Sequence, residues 1–230
     1  MKVTYICHSG FLIETAECYY LFDYYKGCLP VLDTHKPILV FASHRHPDHY
    51  NPIIFGKLKQ MGMEQMTAVL AKDIPKRNYP DGIPALTVTF HQTYELPFGG
   101  TLHTLLSTDQ GVAFLIVCKQ GTFYHAGDLN DWVWAEETEQ YNKQMTGSYR
   151  HEIKVLGEIL GKTPLDIAML PLDPRQEKDY AKGMLYFLQK IHTKKVFPMH
   201  YWERPSVIQK FIREYPDCSD IIQNTEDFIP

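Results

Sequence analysis

The segment Ala42-Ser43-His44-Arg45-His46-Pro47-Asp48-His49-Tyr50 places three imidazoles and a carboxylate within six positions. Neutral imidazole nitrogens and carboxylate oxygens are the donors that suit zinc and related divalent ions, so the spacing points to a metal site rather than to a polar loop of satisfied histidines. An apolar run, Ile38-Leu39-Val40-Phe41, comes before it, and Asn51-Pro52, a helix-start signal, comes after. The histidines therefore belong on a loop at the carboxyl end of a buried strand. Three further polar residues have the same setting. Asp128 follows Phe123-Tyr124-His125-Ala126-Gly127, His200 follows Val196-Phe197-Pro198-Met199, and Asp173 follows Leu170-Pro171-Leu172. Each alone reads as a turn aspartate or a structural histidine. Strand ends that converge on one edge would let all of them act together.

The elements that must position these groups fall into two series. Short strands are expected at Val3 to Cys7, Gly10 to Glu14, Cys18 to Phe22, Ile38 to Ala42, Thr67 to Ala71, Leu86 to Phe90, Thr101 to Leu106, Val112 to Cys118 and Thr122 to Ala126. A helix is expected from Asn51 to about Met61. Residues from Asp131 to about Gly161 read as helix, broken near Gly147. After them come a strand at Asp166 to Leu170, a helix from Gln176 to His192, a strand at Lys195 to Met199, a helix from Arg204 to Tyr215 and a last strand at Asp220 to Gln223. Strands with interspersed helices in both halves predict two packed sheets flanked by helices. No Ser/Gly-rich linker or repeat divides the chain, so residues 1–230 are read as one domain.

Composition narrows the partners. The 230 residues are 44% hydrophobic, enough for a large core, and no run approaches the roughly 18 apolar residues of a membrane span. Lys plus Arg is 23 against 27 for Asp plus Glu, a net charge of −4, which offers no field for nucleic acid. The opening Met1-Lys2-Val3-Thr4-Tyr5-Ile6 reads as a strand, not a signal peptide, and five scattered cysteines make no disulfide framework. The expectation is a cytoplasmic protein acting on a small molecule, without nucleic acid or membrane as partner.

Taken in order, Asp23 after the third strand, His44-x-His46-x-Asp48-His49, Gly127-Asp128 and His200 resemble the metallo-β-lactamase superfamily. The opening His8-Ser9-Gly10-Phe11-Leu12-Ile13-Glu14 is similar to that of its L-ascorbate-6-phosphate lactonase-like branch. The resemblance implies an α/β fold, a four-layer αββα sandwich, with a metal-dependent hydrolase site commonly holding two ions. It implies that His44 and His46 bind the first ion and that Asp48, His49 and His200 bind the second, with Asp128 bridging. It also implies that Asp23 orients the histidine loop and that Asp48 steers the nucleophilic water or accepts its proton. His8 is either near the site or a buried, hydrogen-bonded histidine.

One position departs from the pattern. The superfamily usually supplies a third histidine to the first ion, but here the segment is Leu105-Leu106-Ser107-Thr108-Asp109-Gln110-Gly111-Val112. Asp109 is the best substitute, His103 is an alternative, and a first site lacking this ligand is a third. Zinc leads as the metal, and an aspartate would favour manganese or iron. The physical logic is hydroxide generation, since bound divalent ions lower the pKa of coordinated water from roughly 15.7 to about 7. Arg175, Lys178 and Arg204 could contact an anion or simply be solvated. Trp132, Trp134 and Trp202 wall a pocket or fill the core. The leading function is hydrolysis of a small ester, lactone or phosphoester. The rivals are an iron-dependent oxygenase of the persulfide dioxygenase type and a non-catalytic metal- or ligand-binding module.

Overall fold

The computed structural model describes residues 1–230. Twelve strands form two six-stranded sheets. The first has the order β1 (Lys2–Cys7), β2 (Gly10–Glu14), β3 (Tyr19–Phe22), β4 (Ile38–Ala42), β5 (Met66–Ala71) and β6 (Ala85–Val88). The second runs β12 (Val196–Met199), β11 (Ile167–Pro171), β10 (Gly121–His125), β9 (Val112–Cys118), β8 (Thr101–Leu106) and β7 (Thr93–Glu95). Both are mixed. In the first sheet β1 to β3 pair antiparallel and β3 to β6 parallel, and in the second β7 to β10 pair antiparallel and β10 to β12 parallel. This is the predicted αββα sandwich.

Strand β4 shows why the first sheet is covered on both faces. All five of its residues are buried. Leu39 and Phe41 face the large core between the sheets, whereas Ile38, Val40 and Ala42 join a second cluster with Ile54, Phe55 and Leu58 of helix α1 (Ile53–Gln60). A strand with a period of two and apolar cover on both sides reads as an unbroken apolar run. Each fully buried Phe or Leu contributes about 1.5–3 kcal/mol, so the run fixes where β4 ends. On the far side, helices α2 (Glu139–Leu160), α3 (Lys182–Lys190) and α4 (Ser206–Glu214) lay Ile153, Phe187 and Phe211 on the second sheet.

Apart from shifts of one or two residues at element ends and the unpredicted strand β7, the structure differs from the predicted elements at four places. The segment 131–138 is not helical. Trp132 Nε1 donates to Asp128 O at 2.8 Å, and Gln176 Nε2 donates to Asp131 O at 2.7 Å, which draws this stretch into turns until Thr138 caps α2 by accepting from Tyr141 N. Gly147 does not break α2, because it lies on the exposed face and costs only about 1 kcal/mol relative to alanine. The helix expected from Gln176 begins as a short 3₁₀ turn, since Glu177 has φ 51°, and α3 starts at Lys182. The last strand reduces to a single bridge between Val196 and Ile222.

Candidate metal centre

The histidine loop is delivered by β4 and anchored from β3. Asp23, with φ 42° and no solvent exposure, accepts from Ser43 N (2.7 Å), Ser43 Oγ (2.6 Å) and His49 Nδ1 (2.7 Å). Ser43 Oγ gives its only proton to Asp23, so its contact with His44 Nδ1 at 3.0 Å must be an N–H donated by the imidazole. In its neutral form each of the His44 and His49 rings therefore carries its proton on Nδ1 and turns the Nε2 lone pair inward. Burial by itself would raise the Asp23 carboxyl, but the imidazoles of His125, His49 and His44 outweigh it and hold it at about 2.

The second sheet supplies the other half. Gly127 has φ 52°, and a Cβ there would lie 2.8 Å from Ser43 Cβ and 3.0 Å from Val112 O, so only glycine lets Asp128 approach the loop. Asp128 Oδ2 lies 3.4 Å from His44 Nε2, while Oδ1 lies 3.2 Å from His49 Nε2 and 3.5 Å from His200 Nε2. The two carboxylate oxygens thus face two different sets of histidines. His200, with φ 62° after β12, donates Nδ1–H to Asp173 Oδ2 at 3.0 Å, repeating on the second sheet what Asp23 does for His49. Asp173 sits at about 2, because His200 and Arg175 outweigh the burial that would raise it.

Two groups of donor atoms result, each drawn together within 4.8 Å. One is His8, Asp48, His49 and His200, and the other is His44, His46 and Asp128. His8 Nε2, His49 Nε2 and Asp128 Oδ1 are buried and have no hydrogen-bond partner. Buried polar atoms left unpaired cost about 1–3 kcal/mol each, so this cluster is built for something that satisfies lone pairs. The donor set of imidazoles and carboxylates fits divalent metal ions.

The crowded imidazoles and carboxylates also shift one another's protonation. Burial alone would lower His49, yet Asp128, Asp23 and Asp48 raise it to about 9 in the metal-free protein. Burial and the charge of His49 push His44 down to about 2. Asp48 falls well below the usual carboxylate range, its burial being overcome by the imidazole of His8, 3.4 Å away, and the charge of His49.

The predicted residues distribute unevenly. His44, His46, Asp48, His49, Asp128 and His200 all enter one of the two groups, and Asp23 orients the loop. Asp109 stands outside both. Its Oδ2 is 4.0 Å from His46 Nδ1, and burial followed by the charge of Asp128 raises its carboxyl. His103 lies in β8, pairs with Thr93 Oγ1 at 3.0 Å and joins neither group. Lys178 and Arg204 line a separate cavity, whereas Arg175 and all three tryptophans border a cavity of about 280 Å³ above the cluster. His8 enters as a full member, 3.4 Å from Asp48 Oδ2. In the sequence it reads as either near the site or a buried histidine, on its place in the gap between β1 and β2 and its part in the opening motif. His125, fully buried, donates to Ser9 O and accepts from Gly127 N, which makes it a packing residue.

A family model described as a beta-lactamase superfamily domain matches residues 2–200. The chain is 25% identical over 234 residues to a UPF0173 metal-dependent hydrolase of Carboxydothermus hydrogenoformans, covering 94% of this chain and 91% of that protein. Among solved structures, Igni18, a metallo hydrolase of Ignicoccus hospitalis, aligns with a TM-score of 0.67 at 17% identity over 96% of this chain and 93% of that one. CmlA, a diiron beta-hydroxylase of Streptomyces venezuelae, aligns with a TM-score of 0.61 at 12% identity over 96% of this chain and 52% of that one. At these identities the structural likeness establishes the shared fold.

Proposed function

The chain belongs to the metallo-β-lactamase superfamily, and from that premise we propose that it is a metal-dependent hydrolase of a small ester, lactone or phosphoester. The observation that carries the proposal is the meeting of His49 Nε2 and Asp128 Oδ1, buried 3.2 Å apart with no hydrogen-bond partner while Asp23 holds the far side of the His49 ring. The relative in Carboxydothermus hydrogenoformans, matched over nearly its whole length and described as a metal-dependent hydrolase, supports the same reading.

His44, His46 and Asp128 would hold one ion, with Asp48, His49, His200 and His8 around a second that Asp128 also reaches. Zinc suits the nitrogen-rich second group. When bound, divalent ions supply acidification of water at neutral pH and polarisation of a carbonyl or phosphoryl oxygen. The chain's own contribution is orientation and proton handling. Asp23 and Asp173 keep the Nε2 lone pairs of His49 and His200 turned inward. Asp48, ionised beside His8 and bordering the cavity, steers the attacking water and takes up its proton. A cavity of this size admits a small molecule, and five free cysteines fit a reducing, cytoplasmic setting.

The test is metal-stripped protein assayed on lactone, ester and phosphodiester panels with Zn²⁺, Mn²⁺ or Fe²⁺ restored, alongside elemental analysis of the purified protein. Metal-restored turnover that Asp48→Ala lowers by about 10²-fold or more is the expected result. Absence of metal-dependent turnover on every panel would defeat the proposal. One observation favours a second reading: His44, His46 and Asp128 are two imidazoles and one carboxylate, a ligand set that also suits non-haem iron. Iron in the purified protein with oxygen uptake on a thiol substrate would select an oxygenase. Tight ligand binding without turnover, unchanged by Asp48→Ala, would select a binding module.

A further inference from the structure

The chain contains three tryptophans, and all three border the cavity above the metal-ligand cluster. Trp132 and Trp134 lie parallel with ring centroids 5.8 Å apart, and Trp132 is locked by its bond to Asp128 O. Trp202 is 40% exposed, a costly position for a large aromatic side chain. It stands in a strained turn in which His200, Trp202 and Glu203 all have positive φ (62°, 47° and 57°). That turn sets Trp202 edge-on to His8, with centroids 4.6 Å apart, directly over the ligand cluster. Tyr141 and Met145 of α2 continue the apolar wall.

Arg175 is the only lysine or arginine bordering this cavity, and its charge is already engaged. Its Nε lies 2.9 and 3.0 Å from the two Asp173 oxygens, and its Nη2 is 2.5 Å from Oδ2. The guanidinium is also stacked 4.6 Å from the Trp202 ring and 5.7 Å from that of Trp134. It therefore acts as a spacer inside an aromatic wall rather than as a free anion receptor. A phosphate carried away from the reacting group meets no unpaired cation here, and a flat ring meets three indoles.

We infer that the substrate's non-reacting part is a flat, uncharged ring seated against this tryptophan wall, with Trp202 as the residue that selects it. The inference rests on the hydrolase reading for the reaction but predicts binding separately. Because every tryptophan borders the cavity, tryptophan emission of the metal-loaded protein, excited at the red edge where tyrosine does not absorb, reports on it. The probes are two amides with the same polar group, N-methyl-2-phenylacetamide and N-methyl-2-cyclohexylacetamide. The phenyl amide should quench the emission and bind about fivefold more tightly than the cyclohexyl one, the ratio expected of one aromatic stack. Trp202→Ala should abolish the phenyl preference, and Trp202→Phe should keep most of it. Equal affinity for the two amides in the unaltered protein would overturn the inference without touching the hydrolase reading. Phenyl preference in a protein that hydrolyses nothing would uphold the inference and sink that reading.

Discussion

Asp23→Asn exchanges a single oxygen for an NH₂ in a fully buried side chain, and every hydrogen bond it disturbs is defined. The new amide oxygen can still accept from Ser43 N, where the carboxylate does so at 2.7 Å. Its NH₂ replaces the oxygen that now accepts from Ser43 Oγ at 2.6 Å and from His49 Nδ1 at 2.7 Å. Ser43 can rotate its hydroxyl, but His49 must surrender its Nδ1 proton to avoid donor facing donor. The neutral ring then keeps its proton on Nε2, the atom 3.2 Å from Asp128 Oδ1, and is lost as a metal ligand. Two hydrogen bonds to a buried charge contribute about 1.5–3 kcal/mol each, and the tautomer change recovers part of that, so the metal-free variant should lose ~2–4 kcal/mol. Metal affinity should fall about 10–100-fold, the usual cost of removing a partner that orients a ligand. Urea unfolding measures the first quantity, and competition against a chromophoric chelator measures the second. If stability drops as stated while zinc affinity stays within about twofold, the tautomer argument is wrong and Asp23 is only a packing residue.

Other perturbations read different parts of the site. His8→Gln should weaken the more loosely held of two ions about tenfold and leave the tighter one unchanged, as followed by isothermal titration; unaltered affinities would return His8 to a structural role. Gly127→Ala should destabilise by ~2–4 kcal/mol in urea melts, because its Cβ would sit 2.8 Å from Ser43 Cβ at φ 52°, and a cost under about 1 kcal/mol would mean that the seam yields. His49 is raised to about 9 in the metal-free protein from the ordinary imidazole value of 6.5. Its contribution is therefore fully present below about pH 6.5 and is lost as pH rises through about 9. The urea midpoint of stripped protein should decline across that window, and a flat or rising profile would contradict the assignment.

Much of the fold was legible because the sheets write themselves into the chain as apolar runs. Strand β4 and strands β2, β8 and β9 have the predicted ends, since burial on one or both faces leaves few alternatives for Ile, Leu, Val and Phe. The three-residue edge strand β7 gave no such signal, being half exposed. Residues 131–138 have a composition that suits a helix, and they are held out of one by bonds to Asp128, Gln176 and Asn142, partners spread from four to 45 positions away. The site divided in the same manner. His44 to His49 were visible as a local cluster, and Asp128 and His200 as polar residues at strand ends. The membership of His8 and the separation of Asp109 from both groups depend on how two sheets meet, which no local spacing records.

The donor groups are also shared between the sheets. His8, Asp23 and the histidine loop come from the first, while Asp128, Asp173 and His200 come from the second. Without an ion the seam at this edge is held by contacts such as His125 Nε2 to Ser9 O (2.8 Å), Val112 N to Ser43 O (2.9 Å) and His200 N to His8 O (3.2 Å). An ion gripped by Asp128 on one side and His44 or His49 on the other is a clasp across the sandwich. Loading would then stiffen the seam between two halves that are distant in sequence, and chelation would let this edge breathe first. The metal would be part of the architecture as well as of the chemistry.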